Sequence, residues 1–176
     1  MIKPIESLEH EHRIIEKVLM AIFFLVEKIN SGKDVDTTLL KKIHEFMIIF
    51  ADRCHHGKEE NHLFKTLDKI GIAGAGYSLS SLIYEHQKSR ALVAQISRAS
   101  NAINALPAFQ GIIDLYPGHI WKEENLIFPK AENILSAGQL NKLDEDFENV
   151  ENELGPDIHK KYESLAEELM KQSQII

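Results

Sequence analysis

Two stretches of this sequence repeat one pattern of histidine and glutamate. One begins at His55 and reads HHGKEENHLF, and the other begins at His119 and reads HIWKEENLIF, so that six of ten positions are identical. In each stretch the first histidine is followed four residues later by a glutamate, Glu59 or Glu123. Residues four apart lie on one face of an α-helix, and imidazole with carboxylate is a donor set that suits iron. The repeat therefore predicts a metal site held by two helices.

Each half of the chain carries a further histidine upstream of its repeat. His12 follows Glu11, and His86 follows Glu85. His12 and His55 lie equally far from the connection between the first two predicted helices, so we expect them at one level of the core. Buried carboxylates are costly unless they are paired or metal-bound. Four histidines on four helices, two of them with a glutamate, are therefore better explained by one metal centre than by separate buried residues.

The elements that must position these residues are helices, because four long segments and two shorter ones carry apolar residues at helical spacing. Asp36 is a good cap for the second segment, Pro107 fits the first turn of the fourth, and a kink or short break is expected at Pro117. The pattern predicts an all-α fold: an up-down-up-down four-helix bundle over residues 1–135, and two short C-terminal helices in an extension, residues 136–176, packed on the same domain. The predicted helices cover about residues 7–30, 36–70, 78–104, 107–135, 137–154 and 158–172.

The composition excludes several other classes of protein. The chain has 176 residues, a net charge of −7 and one cysteine. The negative charge argues against nucleic-acid binding, and a single cysteine allows neither an internal disulfide nor a cysteine-based zinc or iron–sulfur site. The N terminus lacks the apolar core of a signal peptide, and no apolar run approaches the ~20 residues of a membrane-spanning helix. We expect a cytoplasmic protein with no nucleic-acid or membrane partner.

The sequence resembles the hemerythrin-like proteins with an HHE cation-binding domain, named for its histidine and glutamate residues. The similarity spans residues 7–135 and is carried by FADRCHHGKEE, which begins at Phe50, and HIWKEENLIFP, which ends at Pro129. The resemblance implies a cofactor of two non-haem irons bridged by two glutamates; zinc or manganese also fits the ligand types. The ligands that it implies are His12, His55, Glu59, His86, His119 and Glu123.

The sequence departs from the respiratory pigment hemerythrin at one ligand position. In the pigment, as the resemblance implies, the site has five histidines, and one of them is a second histidine one turn along the third helix. In this sequence Leu82 and Arg90 flank His86 at that distance. From the sequence, either His62 or His56 could supply a seventh ligand. Six ligands leave about two open positions on a pair of six-coordinate metals, so we expect oxygen to oxidise the site rather than to be released intact.

Three functions fit such a site. The first is a protein that binds or senses oxygen, or a related small molecule such as nitric oxide or peroxide. The second is a diiron enzyme for peroxide removal or iron oxidation, and the third is a bundle in which the metal is only structural. Outside the implied ligand set, we expect Lys58 and Lys122 at the surface, Cys54 in the core, and His159 in a charged outer helix.

Overall fold

The computed structural model describes residues 4–71 and 79–174 of the chain. Within these ranges the regular structure is all helical, as the sequence predicts, and no strand occurs. The predicted stop of the second helix at residues 71–76 lies, apart from Gly71, outside the described residues, as does Ser78, where the third helix was predicted to begin. The described residues form six helices, which are α1 (Pro4–Asn30), α2 (residues 37–69), α3 (Leu79–Arg98), α4 (residues 102–134), α5 (Ala137–Leu154) and α6 (Ile158–Gln174).

Helices α2 and α4 change their winding where they carry the repeated motif. In α2, α-helical Thr37–Phe46 is followed by π-helical Met47–His56 and then by π-helical Glu59–Leu63. In α4, π-helical Glu123–Ile127 follows α-helical Ala102–Lys122. A π turn contains more residues than an α turn, and such segments are frequent at functional sites. The two Glu-Glu-Asn motifs therefore have the same local geometry.

The starts of α2 and α4 are explained by their caps. Asp36 caps α2, as predicted, by accepting a hydrogen bond from the backbone N–H of Thr38 at 2.8 Å. Helix α4 begins at residue 102, earlier than predicted, because Asn101 caps it by accepting from the N–H of Asn104 at 3.0 Å. The same helix continues through Pro117, so of the kink or short break predicted there the break does not occur.

Buried apolar side chains form two clusters, and each of the first four helices contributes to both. Along α1, Leu8 belongs to the smaller cluster and Ile15 to the larger one. Along α2 the order is reversed, since Phe50 belongs to the larger cluster and Leu63 to the smaller one. Helix α3 has the order of α1, and α4 has the order of α2. Between the two clusters, each of these helices carries buried polar residues.

The first four helices contact one another in a cycle: α1 with α2, α2 with α3, α3 with α4, and α4 with α1. Helices α5 and α6 pack against α1 and α2. Helix α6 adds Ile158 and Tyr162 to the larger apolar cluster, and α5 adds Leu143 and Phe147 to the smaller one. The division of the chain at residue 135 stays a prediction. No helix among the described residues has the length and apolar content that crossing a bilayer requires.

Candidate metal centre

Two clusters of metal-ligating side chains lie side by side in the layer between the apolar clusters. Within each, every residue offers a nitrogen or oxygen atom that lies within 4.8 Å of the others. All of these residues are buried. The first cluster comprises His12 from α1, His55 and Glu59 from α2, and Glu123 from α4. The second comprises His56 and Glu59 from α2, His86 from α3, and His119 from α4. The structure thus brings together all six residues that the resemblance implies, and adds His56.

Both glutamates face both clusters. Oε1 of Glu59 lies 3.6 Å from Nε2 of His55 in the first cluster, and Oε2 lies 3.5 Å from Nε2 of His86 in the second. Glu123 does the same, with Oε2 3.2 Å from Nε2 of His12 and Oε1 3.7 Å from Nε2 of His86. Each carboxylate therefore offers one oxygen to each cluster, which is the arrangement that a carboxylate bridging two metal ions requires.

Unpartnered polar atoms mark the same place. Among the described residues, the buried side-chain nitrogen and oxygen atoms without a hydrogen-bond partner are Nε2 of His12, His55 and His56 and both carboxylate oxygens of Glu59 and Glu123. Buried polar atoms in folded proteins are nearly always paired, so a convergent group of unpaired ones indicates a bound ion. The donor set fits two cations.

Of the two histidines left open as a seventh ligand, the structure places His56, and not His62, among the clustered residues. Its ring stacks on that of His86, with centroids 3.8 Å apart, inside the second cluster. His62 lies in neither cluster; its side chain is 27% exposed, with Nδ1 3.4 Å from Asp146. Leu82 lies one helical turn before His86, a position at which a second histidine of the third helix could stand, and it is buried in the smaller apolar cluster. The fifth imidazole among the clustered residues thus lies on α2 rather than on α3.

An outer layer of carboxylates orients the imidazoles. Each of the four helices supplies a glutamate to the histidine of the next helix, from α1 to α2, α2 to α3, α3 to α4 and α4 back to α1. We call these four pairs the carboxylate ring: Glu11 with His55 at 2.9 Å, Glu60 with His86 at 2.7 Å, Glu85 with His119 at 2.9 Å, and Glu124 with His12 at 2.8 Å. In every pair the histidine atom is Nδ1. An imidazole that donates from Nδ1 carries its lone pair on Nε2, so each of these rings is set to bind a cation in the centre.

A comparison with protein families agrees with this geometry. The family described as hemerythrin HHE cation binding domain matches residues 3–131 of the chain. The chain belongs to the hemerythrin family. The matched region contains both clusters and the whole carboxylate ring, and it ends before α5 begins.

Curated relatives of this hemerythrin-family chain include one protein of Mycobacterium bovis and two of Mycobacterium tuberculosis, each named only as an uncharacterized protein. Each is 22% identical over 156 residues, which cover 83% of this chain and 60% of the relative. The chain thus spans about 60% of the length of these relatives. No solved structure matches the chain.

Each glutamate of the carboxylate ring is paired with a basic side chain. The pairs are Glu11 with Lys58, Glu60 with Arg90, Glu85 with Lys122, and Glu124 with Arg13. Lys58 is fully buried and the Lys122 side chain is only 16% exposed, so the surface location expected for both lysines is wrong. Both precede the clustered glutamate of their motif, Glu59 or Glu123, by one residue, and both neutralise a carboxylate that would otherwise repel these buried glutamates.

When only protein atoms surround the buried glutamates, charge repulsion between Glu59 and Glu123 is unfavourable. Burial, together with the charge of Glu123, raises the pKa of Glu59 well above its usual value. Burial, helped by the charge of His12, lowers the pKa of His55 to about 4, so that this imidazole is neutral at pH 7. At His12 burial favours the neutral form, but the neighbouring carboxylates of Glu123 and Glu124 raise the pKa to about 9. Two cations would resolve the conflict, because they stabilise both carboxylates and neutral imidazoles.

Two other side chains near the motifs lie outside both clusters. Cys54 is buried, as expected. Tyr116 precedes His119 by one helical turn, but its hydroxyl is hydrogen-bonded to Ser89 at 2.8 Å. Neither residue contributes an atom to either cluster; Cys54 instead lies with Glu11 and His159 in a third group of side chains whose possible metal-ligating atoms are within 4.8 Å of one another.

Proposed function

We propose that this protein binds two iron ions, one in each cluster, and that the iron pair binds a small molecule such as oxygen, nitric oxide or peroxide. The observation that carries the proposal is the convergence of unpartnered, buried donor atoms around two glutamates that each face both clusters. Imidazole nitrogen with carboxylate oxygen suits iron among the common metals. When bound, a pair of reduced irons would supply electrons and a coordination position to such a ligand.

The number of donors supports ligand binding over a purely structural role. Structural metal sites are closed, whereas reactive sites keep an open position. The second cluster contains three imidazoles and the first contains two; Glu59 belongs to both clusters, and Glu123 belongs to the first, with its Oε1 also facing His86 and His119 of the second. We therefore expect the open position on the metal held by His12 and His55. As a seventh ligand, His56 would fill one of the two positions that six ligands would leave open, and such a set would favour reversible binding of one ligand over irreversible oxidation.

The side chains around the clusters would keep water away from this position. The ring of Phe128 stacks on His12 with centroids 5.5 Å apart, and Phe64 stacks on His86 at 6.0 Å. Both phenylalanines belong to the smaller apolar cluster. A dry, apolar boundary favours a small uncharged ligand and strengthens every electrostatic interaction inside it.

The proposal includes the topology of the bundle and the location of the protein. The order in which α1, α2, α3 and α4 meet the two apolar clusters alternates, which supports the up-down-up-down arrangement predicted from the sequence. The cytoplasmic location stays a prediction.

The test is reconstitution of the full chain with ferrous iron without oxygen, followed by metal analysis and optical spectroscopy. We expect about two irons per chain, a new absorption band when oxygen is added, and loss of that band when oxygen is removed. H12A, which lacks an imidazole of the first cluster, should bind less iron, whereas H62A should behave as the wild type. One iron or fewer per wild-type chain would contradict the dinuclear centre. If the band disappears while oxygen is still present and the iron is left in the ferric state, the result would favour the oxidising enzyme instead.

A further inference from the structure

Four charged side chains form a network next to the first cluster. Nε2 of His159 lies 2.9 Å from Oε1 of Glu11 and 3.1 Å from Oε1 of Glu151. Lys58 contacts the same two carboxylates through its ammonium group. We call Glu11, Lys58, Glu151 and His159 the Glu11 network. Two of its members come from the C-terminal helices, Glu151 from α5 and His159 from α6, and both lie beyond the residues that match the family.

Glu11 connects this network to the metal centre. Its Oε2 accepts a hydrogen bond from Nδ1 of His55 at 2.9 Å, while its Oε1 faces Lys58 and His159. Glu11 is fully buried, so protein groups hold its carboxylate in place. The direction of that carboxylate sets the orientation of the His55 ring, in the way that outer partners of metal-binding histidines generally do. A group that fixes Glu11 therefore acts on a metal ligand.

The equivalent glutamate of the second half has a simpler environment. Glu85 orients His119, has Lys122 as its basic partner, and is 14% exposed, so water also reaches it. Glu11 has no exposure and has two basic partners. The additional partner, His159, comes from outside the four helices that carry the ligands. The C-terminal helices thus serve the first cluster in particular.

The first cluster is also the one that most depends on such support. It has two imidazoles, those of His12 and His55, whereas the second cluster has three. Misplacing His55 would leave the first metal with a single well-oriented imidazole. We propose that α5 and α6 are part of the metal centre, and that His159 and Glu151 are positioning residues that hold Glu11 against His55 and thereby set the metal affinity of the first cluster. This inference rests on the metal binding proposed above.

The test replaces His159 in the full chain by alanine and by glutamine. The side-chain amide of glutamine can donate to Glu11, so H159Q should restore part of what H159A loses. H62A is the matched control, because His62 also joins α2 to a carboxylate of α5, Asp146, but lies outside both clusters. Anaerobic titration with ferrous iron gives the two affinities, and azide added to the ferric form gives an absorption spectrum of the metals.

We expect the weaker iron of H159A to bind about 10- to 100-fold less tightly than in the wild type, with the tighter iron unchanged and the azide band shifted. H159Q should lie between the two, and H62A should match the wild type. Equal affinities and equal azide spectra for H159A and the wild type would overturn the inference. If melting curves show that H159A does not fold, H159Q is compared with the wild type by the same criteria. A wild type that binds no iron would overturn the proposed function, and this inference with it.

Discussion

His56 makes the two halves of the centre unequal. Its imidazole joins those of His86 and His119 in the second cluster, while only His12 and His55 serve the first. The Nε2 atoms of His86 and His119 lie 3.1 Å apart, so both point at one place. Because affinity rises with the number of well-placed donors, the two ions should bind with different affinities, and the second cluster should fill first.

Replacing His56 by alanine should remove this difference. Loss of a ligand should cost at least as much affinity as loss of an outer partner, which is about 10- to 100-fold. We expect anaerobic iron titration of the wild type to show a tight and a weaker step, and H56A to lose the tight step. The His62→Ala protein serves as the control, since it lacks a histidine of the same helix outside the clusters. A tight step that persists in H56A would exclude His56 as a ligand.

Glu59 should destabilise the metal-free fold at neutral pH. Its pKa is raised well above the ordinary value of 4.5, so its contribution to stability is fully present below pH 4.5 and is lost as the pH rises through the raised pKa. We expect metal-free E59Q to melt several degrees higher than the metal-free wild type at pH 8, since about 1 kcal/mol shifts the midpoint by about 2–4 °C in a chain of this size.

Melting curves in the presence of a chelator, from pH 5 to pH 8, measure this effect. The advantage of E59Q should shrink toward pH 5, where Glu59 in the wild type is protonated and resembles glutamine. E145Q, at a position that is 71% exposed, should show no such trend. An E59Q protein that melts lower than the wild type at pH 8 would show that repulsion between the two buried glutamates does not destabilise the metal-free protein.

At the scale of the helices, the sequence was sufficient for the fold class and for most of the residues at the centre. Apolar spacing and the repeated His-x-x-x-Glu pattern led to the helices and to six of the clustered residues. His56 stayed undecided because consecutive residues of an α-helix point in different directions, so that only His55 was expected to face the centre. The π-helical segment Met47–His56 changes this relation, and apolar periodicity does not reveal such local winding.

The carboxylate ring had a signal in the sequence that spacing alone did not interpret. Each helix places an acidic residue next to a clustered residue, as in Glu11 before His12 and Glu60 after Glu59. Which imidazole each of them would contact depends on the cyclic order of the helices, and that order is a property of the packed structure. The same holds for His159, which reaches Glu11 from a helix far away in the sequence.

At the scale of the whole molecule, metal should contribute to stability because the clustered residues that would bind it come from four different helices. Ligand at 100 times its dissociation constant stabilises a fold by about 2.7 kcal/mol, which corresponds to a rise in melting temperature of about 5–10 °C for a chain of this size. We expect the iron-loaded protein to melt higher than the chelated protein by this amount, measured by calorimetry. H12A should show a smaller rise. Equal midpoints with and without iron would indicate that metal binds at the surface.

The carboxylate ring can form completely in only one register and one cyclic order of the four helices. On each helix the metal ligand and the glutamate that serves the neighbouring helix are adjacent in sequence, so sliding one helix by a single residue displaces both together. A bundle with its helices in another cyclic order would place each glutamate beside the wrong imidazole. Such a misassembled bundle would lack correctly oriented imidazoles and would gain little from metal. Iron would thus selectively stabilise the one arrangement in which all four glutamate–histidine pairs of the carboxylate ring form.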